Sequence, residues 1–372
     1  MKEGWVTKKL GEVCELAYGK ALPDKDRMQN GKYPAFGANG IKDRTDKFLY
    51  GKPSIIIGRK GSAGELCLTD GPFWALDVTY YVKHDPKEYD LKFLYYLLSL
   101  QNLPKLARGV KPGINREQVS VISAPIPSLL EQQHLVAILD TAFADLAKAK
   151  ANAEKNLANA KELFESYLHE VFSKRGEGWV EKSIGDICSL KSGTSVNVSL
   201  EKSSGDLPYL KVADMTYGGN EAEITTSSRF LNMIDTGRNS IFPVGTTIFP
   251  KRGGAILTNK KRLTATPICA DLNIMGVIPP ANLSPRLLYY YFLNVDMRLL
   301  GSGSSIPQIN NYDIAPLTIA FPKDQEQQNK IVKKLDGLSQ GTQHLESLYQ
   351  RKLTALDELK QSILRKAFSG EL

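Results

Sequence analysis

The chain has 372 residues, of which 42% are hydrophobic and 24% charged, a composition typical of globular rather than disordered or fibrous proteins. The formal net charge of +8 favours an acidic partner, and nucleic acid before a membrane, because no stretch approaches the roughly 18 apolar residues of a membrane span. The first residues are too polar for a secretory signal peptide and the four cysteines lack paired spacing, so we expect a cytoplasmic protein with free thiols.

Residues 1–128, the first front part, are predicted to fold as a mixed α/β (α+β) domain. Apolar runs at 54–57 and 78–82 indicate short strands, and frequent glycine and proline residues separate them. Leucine and aromatic residues recur at helical spacing within 91–100, which predicts one helix. The pattern therefore favours short strands and turns around a single helix.

A long helix is predicted next, because residues 130–173 contain neither proline nor glycine and are rich in Ala, Leu, Lys and Glu. One series of apolar or small residues recurs every seven positions and is called the main seam, and a second series beside it is called the companion seam. The main seam is Leu139, Leu146, Ala153, Ala160 and Tyr167, and the companion seam is Ala142, Ala149 and Leu163. Such seams predict a coiled coil, and about 38 residues would give roughly 57 Å of helix.

The second half of the chain repeats this order. Residues 178–190 match 4–16, and residues 331–369 match 135–173 at an offset of 196. The second helix keeps its main seam in phase, at Leu335, Thr342, Tyr349, Leu356 and Ile363, with a companion seam at Leu338, Leu345 and Leu359. The duplication predicts two similar units related by an approximate twofold axis.

Two helices with matching seams could pair within one chain or between two chains. We favour an antiparallel pair within the chain over a homodimer, because one polypeptide already carries both partners. The second helix has Gly337 and Gly341 where the first has Thr141 and Asp145, so we expect its first turns to be looser.

The two front parts differ in length. Pro34 aligns with Pro208 at an offset of 174, whereas Ser54 aligns with Thr246 at an offset of 192. About 18 residues are therefore added within 214–243 (192 − 174). Similar helices with divergent front parts predict one frame that carries two different readers.

Motifs of common catalytic sites are missing from the sequence. It has no GxxxxGK[ST] phosphate loop, no GxGxxG and no HExxH, and its four histidines are dispersed. No amino-methyltransferase motif or convincing nuclease cluster is visible. A binding protein is therefore favoured over a nuclease or methyltransferase with unrecognised motifs, which is the weaker alternative.

Basic and polar residues recur in glycine-flanked turns at matched places of the two repeats. Cations on such turns can approach phosphates, and arginine can pair with the O6/N7 edge of guanine. The candidate DNA-binding residues on these turns are Arg59, Lys60, Arg108, Lys111, Asn115, Lys251, Arg252, Ser304 and Asn310. A further basic cluster at 259–262 in the second repeat adds Lys260, Lys261 and Arg262, which we expect to contact phosphates without reading sequence. The alternative interpretation is that these are solvated turns that lead into the next strand or helix.

These features occur in a fixed order and in two copies. In this they resemble the specificity (S) subunit of type I restriction–modification systems. The resemblance covers essentially the whole chain. It is carried by the Gly-Trp openings at 4–14 and 178–188, the stretch 33–40, the Ile-Asn turns at 114–116 and 309–311, and the Pro-x-x-x-Glu-Gln-Gln motifs at 127–133 and 322–328.

The resemblance implies target recognition domains at 1–128 and 177–322, each reading one half of a split, asymmetric DNA site. It implies helical spacers at 129–176 and 323–372 that set the gap and dock two methyltransferase (M) subunits and, through them, restriction/motor (R) subunits. The S chain of that family is not catalytic, so we expect no cofactor here, and S-adenosylmethionine, ATP and Mg²⁺ on the partner subunits. The alternative is a coiled-coil scaffold for other proteins with only non-specific DNA affinity.

Overall fold

A computed structural model describes residues 2–174, 176–237, 240–301 and 306–372. The chain is mixed α and β, as predicted, and forms two compact units. Unit 1 is Met1–Lys155 with Gln350–Leu372, and unit 2 is Asn156–Tyr349. Each unit therefore combines a front part with one segment of each long helix, whereas the four-part division at 128, 176 and 322 stays a prediction from sequence motifs.

The first front part has short strands between turns. Its strands are β1 (Val6–Lys9), β2 (Glu15–Tyr18), β3 (Tyr33–Gly37), β4 (Gly40–Thr45), β5 (Ile55–Gly58), β6 (Leu66–Leu68), β7 (Trp74–Ala75), β8 (Thr79–Lys83) and β9 (Ser123–Ile126). Its helices are α1 (Leu10–Val13), α2 (Leu91–Leu100) and α3 (Arg116–Ser120), followed by the long helix α4 (Leu129–Ser173). The predicted strands at β5 and β8 and the predicted helix at α2 are confirmed.

The second front part repeats this order. Its strands are β10 (Trp179–Ser183), β11 (Ser189–Ser192), β12 (Leu207–Leu210), β13 (Glu223–Ile224), β14 (Phe230–Leu231), β15 (Ile241–Phe242), β16 (Thr247–Pro250), β17 (Arg262–Thr264), β18 (Ile268–Ala270), β19 (Ile274–Ile278) and β20 (Thr318–Pro322). Its helices are α5 (Ile184–Ile187), α6 (Pro285–Asn294) and α7 (Asn311–Ile314), followed by the long helix α8 (Gln325–Ser369).

The larger sheet has the same strand order in the two units, with one added strand in unit 2. The order β2-β8-β5-β6 in unit 1 corresponds to β11-β19-β16-β17 in unit 2, where β13 joins the edge parallel to β17. Strand β13 lies within 214–243, where the sequence predicted added residues. In each unit the opening strand pairs antiparallel with the strand before the long helix, β1 with β9 and β10 with β20.

Helices α2 and α6 start at side-chain caps. The Asp90 carboxylate accepts a hydrogen bond from the backbone N–H of Phe93, and Ser284 caps α6 in the same way. Phe93 is buried in the core of unit 1 with Leu139 of α4 and Phe368 of α8. Burial of one such side chain contributes about 1.5–3 kcal/mol. These cores fix each front part on its helix segments.

Segments of α4 and α8 pair antiparallel within each unit. In unit 1, Lys150 Nζ lies 2.8 Å from Asp357 Oδ1, and Lys360 Nζ lies 5.2 Å from the centre of the Phe143 ring. In unit 2, Lys334 Nζ lies 4.7 Å from the centre of the Tyr167 ring. Pairing within one chain was the predicted arrangement.

The main seam is buried or half-buried throughout, and the companion seam is half-buried at Ala142, Ala149 and Leu338 but not at its three other positions. The predicted Leu163, Leu345 and Leu359 are 58%, 36% and 47% exposed. Phe143 and Phe164, four residues after main-seam positions, are half-buried instead. Their rings contact Tyr96 of α2 and Tyr290 of α6 at centroid distances of 5.3 and 6.3 Å, so the front parts decide which flank of the main seam is covered.

The thiols are free, as expected. Cys14, Cys188 and Cys269 are buried and Cys67 is half-buried, and all four are unpaired. Burial raises the pKa of Cys14 and of Cys188 to about 12. They therefore act as small apolar core residues.

Among the described residues, no helix combines the length and apolar content that crossing a bilayer requires.

Candidate nucleic-acid interface

In unit 1 the backbone joins two loops that the sequence places about 50 residues apart. The Ile114 N–H donates to the Arg59 carbonyl at 3.0 Å, and the Gly61 N–H donates to the Pro112 carbonyl at 3.0 Å. Lys60 also forms a β-bridge with Gly113. The candidates that this loop pair brings together are Arg59, Lys60, Arg108, Lys111 and Asn115.

Unit 2 builds the same loop pair. The Ile309 N–H donates to the Lys251 carbonyl at 2.8 Å, and the Gly253 N–H donates to the Pro307 carbonyl at 2.8 Å. Arg252 forms the corresponding bridge with Gln308. Lys251 is therefore the structural equivalent of Arg59, and Arg252 the equivalent of Lys60.

Glycine makes these turns possible. Gly61 and Gly253 have φ of +80° and +69°, in the left-handed region where other residues are strained. A Cβ at Gly58, which ends β5, would lie 2.0 Å from the Ser62 carbonyl oxygen. The local sequence thus requires glycine where the strand turns into the basic loop.

The Arg59 side chain is half-buried, and a backbone carbonyl and an aromatic ring hold it in place. Its Nε and Nη2 donate to the Asp77 carbonyl at 3.1 and 2.7 Å. Its Cζ lies 5.5 Å from the centre of the Tyr18 ring, and Arg116 Cζ lies 5.2 Å from the same ring. The candidate set omitted Tyr18 and Arg116, although Arg116 ends the Ile-Asn-Arg turn that carried part of the resemblance.

The equivalent cations of unit 2 have other partners. Lys251 Nζ donates to Ser192 Oγ at 2.8 Å, and burial and the neighbouring Arg252 lower the Lys251 pKa. Arg252 is exposed and its Nη2 donates to Gln308 Oε1 at 3.1 Å. The two loop pairs therefore share a pattern of backbone hydrogen bonds, but their cationic side chains have different partners.

Asn115 and Asn310 occupy the N-cap positions of α3 and α7. Asn115 Oδ1 accepts from the Glu117 N–H at 3.2 Å, and the Asn310 N–H donates to Asp313 Oδ2 at 2.7 Å. A side-chain N-cap contributes about 1 kcal/mol, which Asn115 supplies to α3, whereas at the start of α7 the Asp313 carboxylate accepts the Asn310 N–H. Contact of the two asparagines with DNA stays a prediction.

The basic cluster expected at 259–262 is mostly internal. Lys261 is 2% exposed, and its Nζ donates to Asn259 Oδ1 and to the Val295 carbonyl, both at 2.7 Å. Burial lowers the Lys261 pKa to about 8. Arg262 is also buried, and its Nε donates to the Met215 carbonyl at 2.9 Å.

These contacts give Lys261 and Arg262 a role inside unit 2, unlike the exposed phosphate ligands that the sequence suggested. The sequence could not reveal this, because the accepting carbonyls of Val295 and Met215 lie 34 and 47 positions away. Lys260 is half-buried and remains a candidate.

The other candidates lie on the surface or outside the described ranges. Arg108 and Lys111 are exposed, and Arg108 Nη1 donates to the Lys105 and Ala107 carbonyls at 3.1 Å each. Ser304 lies outside the described residues. In the part of the chain that the structure describes, no group of three or more His, Cys, Asp or Glu side chains is placed to hold a metal ion.

One carboxylate in each unit ties the front part to its long helix. Asp140 accepts from Lys92 Nζ at 2.6 Å and from Tyr96 Oη at 2.5 Å. Burial alone would raise the Asp140 pKa, but these two hydrogen bonds outweigh it and hold the pKa below its usual value. In unit 2, Asp336 accepts from Arg286 and Tyr290.

One buried glutamine in each unit makes a second set of matched contacts. Gln132 of α4 and Gln328 of α8 are fully enclosed, and each bonds one backbone N–H and two backbone carbonyls. The partners are Asp90, Glu88 and Pro127 for Gln132, and Ser284, Asn282 and Pro322 for Gln328. Carboxylate and amide together fix the orientation of each front part on its helix segment.

Comparison with known proteins agrees with this architecture. The chain is 24% identical over 405 residues to the EcoDI type I restriction enzyme specificity subunit of Escherichia coli, with 99% of this chain and 88% of that protein covered. A chain solved in work on complex assembly and conformational transition of the type I R-M system has a TM-score of 0.80 at 19% identity, covering 100% of this chain and 99% of that one. The HsdS subunit of Thermoanaerobacter tengcongensis has a TM-score of 0.59 at 18% identity, with 100% and 98% covered.

At these identities the solved structures establish the fold. The family is established by sequence, because the family model for the type I restriction modification DNA specificity domain matches residues 2–155 and 176–354. The chain therefore belongs to the family of type I restriction–modification specificity subunits, which recognise DNA sequence through two domains.

Proposed function

We propose that this chain is the non-catalytic reader of a type I restriction–modification complex and recognises a bipartite, asymmetric DNA site. The first front part reads one half-site and the second front part reads the other. The paired segments of α4 and α8 act as a spacer that sets the gap between the half-sites.

The observation that carries this proposal is the pair of equivalent basic loops. The same backbone hydrogen bonds form at 59–61 with 112–114 and at 251–253 with 307–309. Cations held on fixed turns suit contact with phosphates and base edges. The formal net charge of +8 supports attraction to DNA from a distance.

The chemical differences between the loop pairs support an asymmetric site. Arg59 lies against an aromatic ring, whereas its equivalent Lys251 is bonded to a serine hydroxyl. Guanidinium and ammonium groups read base edges differently, because only the former offers a rigid, planar fork. Two half-sites of different sequence are therefore expected.

The proposal assigns methylation and cleavage to other subunits. Two methyltransferase subunits would dock on the helical spacers and carry S-adenosylmethionine, and restriction/motor subunits would join through them with ATP and Mg²⁺. The matched helix segments of the two units support two equivalent docking places, because each carries the same anchoring carboxylate and glutamine.

The test is the methylation pattern of cells that express this chain with its cognate methyltransferase subunit. Two short, dissimilar sequences separated by a fixed gap of indifferent sequence are expected. Half-site centres about one duplex turn apart, roughly 34–36 Å, would place both readers on the same groove face. Methylation of a continuous or palindromic motif would contradict the proposal.

Exchange of one front part makes the assignment specific. Replacement of residues 178–322 by the corresponding segment of another family member should change one half-site and leave the other unchanged. The reciprocal exchange of residues 1–128 is the matched control and should change the opposite half-site. A change in both half-sites from either exchange would argue against independent readers.

A further inference from the structure

We infer that Tyr18, Arg59 and Arg116 form one DNA-reading site in unit 1, in which the Tyr18 ring positions two guanidinium groups against an acceptor-rich base edge. The inference rests on the proposed function and names residues that determine specificity for one half-site. Tyr18 is the positioning residue, and Arg59 and Arg116 are the groups that contact DNA.

The three side chains come from separate elements and meet at one ring. Tyr18 ends β2, Arg59 follows β5 and Arg116 begins α3. Both guanidinium carbons lie within about 6 Å of the ring centre, at 5.5 and 5.2 Å, the range of a cation–π contact. Tyr18 is 46% exposed, so the site is open to a ligand.

The Tyr18 ring packs against a second tyrosine of the same sheet. Tyr80 packs edge-on against Tyr18 with centroids 5.1 Å apart, and the Tyr80 hydroxyl donates to the Ile114 carbonyl at 3.1 Å. Burial and the neighbouring Tyr18 raise the Tyr80 pKa. The Ile114 N–H in turn donates to the Arg59 carbonyl, which couples the ring position to the loop that carries Arg59.

Both guanidinium groups keep unused donors. Each has five N–H donors; Arg59 uses Nε and Nη2 on the Asp77 carbonyl, and Arg116 uses Nε on Glu117 Oε1 at 3.4 Å. Within the described ranges, Nη1 of Arg59 and both terminal nitrogens of Arg116 have no protein acceptor. Two cations on one ring also repel each other, and an acceptor-rich base edge such as guanine O6/N7 would relieve that repulsion.

Unit 2 lacks this arrangement at every equivalent position. Ser192 replaces Tyr18 at the end of β11, Lys251 replaces Arg59, and Asn311 replaces Arg116 at the start of α7. The Lys251 ammonium group is bonded to Ser192. A pair of arginine forks is therefore available to only one of the two half-sites.

The experiment uses the full chain in complex with its methyltransferase subunit and reads the methylated motif of each variant. Tyr18→Phe keeps the ring and should keep the motif. Tyr18→Leu should relax base preference at one or two positions of a single half-site, with discrimination there falling roughly 5- to 150-fold. Arg59→Gln and Arg116→Gln should relax positions in that same half-site.

Controls separate a local effect from a general one. Ser192→Ala changes the equivalent position of unit 2 and should leave the half-site affected by Tyr18→Leu unchanged. Lys87→Gln removes an exposed cation of unit 1 that lies outside both the reading loops and the helical spacers, and should leave both half-sites intact.

The outcomes decide the inference independently of the proposed function. A wild-type complex that methylates a bipartite motif, with Arg59→Gln and Arg116→Gln both leaving the motif unchanged, would overturn the inference and keep the function. The arginine variants also decide the case if Tyr18→Leu fails to assemble, because their side chains are not in the core. Equal relaxation by Tyr18→Phe and Tyr18→Leu would overturn the positioning role of the ring.

Discussion

Basic residues that look alike in the sequence have opposite environments in the folded chain. Lys60 is exposed on its loop, whereas Lys261 is enclosed and bonded to Asn259 and to the Val295 carbonyl. Both follow a strand-like run or lie near a turn, so the sequence offers no local signal that separates them. The distinguishing contact is with the Val295 carbonyl, 34 positions away, which only the fold brings close.

Lys261 makes the stability of unit 2 depend on alkaline pH. Its pKa is about 8 in the folded chain, below the ordinary value of 10.5. Between these two pH values the unfolded chain binds more protons than the folded chain, so the free energy of unfolding rises with pH. The rise attributable to this group is on the order of 3 kcal/mol.

The variant Lys261→Met tests this dependence through unfolding free energies in urea at about pH 7.5 and about pH 10.5. The stability of the variant relative to wild type should be greatest at the lower pH and should decline as the pH rises. Lys260→Met is the neighbouring control and should follow the wild-type pH curve. Parallel curves for Lys261→Met and wild type would contradict the assignment.

At the scale of elements, the helix starts show how a motif can be recognised and still be aligned wrongly. The Pro-x-x-x-Glu-Gln-Gln motifs match at an offset of 195, which pairs Gln132 with Gln327. The structure instead gives Gln132 and Gln328 the same contacts, at the offset of 196 that the rest of the helices follow. A hydrogen-bond pattern therefore corrects a register that residue identity alone suggested.

The buried Gln132 should contribute much more to the free energy of unfolding than its exposed neighbour Gln133. Gln132→Met fills a similar volume but leaves the Asp90 N–H and two carbonyls without their partner, which should lower the free energy of unfolding by on the order of 3 kcal/mol. Gln133→Met alters an exposed side chain and should change stability by less than about 0.5 kcal/mol. Urea denaturation of the two variants is the measurement, and equal effects would show that the contacts carry little weight.

Helix α8 continues without a break through Gly337 and Gly341. The effect expected of these two glycines is therefore a lower free energy of unfolding, without a break in the helix. Both glycines have ordinary helical φ, and an added Cβ would meet no atom within 4 Å. Gly337→Ala and Gly341→Ala should each raise the free energy of unfolding by about 0.5–1 kcal/mol.

Gly276→Ala is the contrasting variant in the same unit. An added Cβ in β19 would lie 2.6 Å from Phe242 Cε1, so this change should destabilise unit 2. Thermal unfolding of the three variants distinguishes the cases. A lower melting temperature for both helix variants would show that these glycines are needed where they stand.

At the scale of the whole molecule, the sequence predicted those features that depend on repeated patterns. Duplicated openings and seams of period seven predicted two similar halves and helices that pair within the chain. The companion seam was correct at only three of its six positions, because apolar residues lie on both flanks of the main seam. The choice between them depends on Tyr96 and Tyr290 of the front parts. The side-chain partners in the reading loops could not be predicted from the sequence either, because Tyr18 and Arg116 lie 98 residues apart (116 − 18).

The helical spacer gives the last prediction. One heptad removed from α4 (147–153) together with one from α8 (351–357) keeps the phase of both main seams and shortens the pair by roughly 10 Å. The gap between the half-sites should shrink by up to about three base pairs, since each base pair occupies 3.4 Å of duplex, while both half-site sequences persist. Methylome sequencing of the deletion measures both quantities, and a variant with the same residues replaced by heptads of equal length is the control. An unchanged gap with intact half-sites would mean that the helices do not set the spacing.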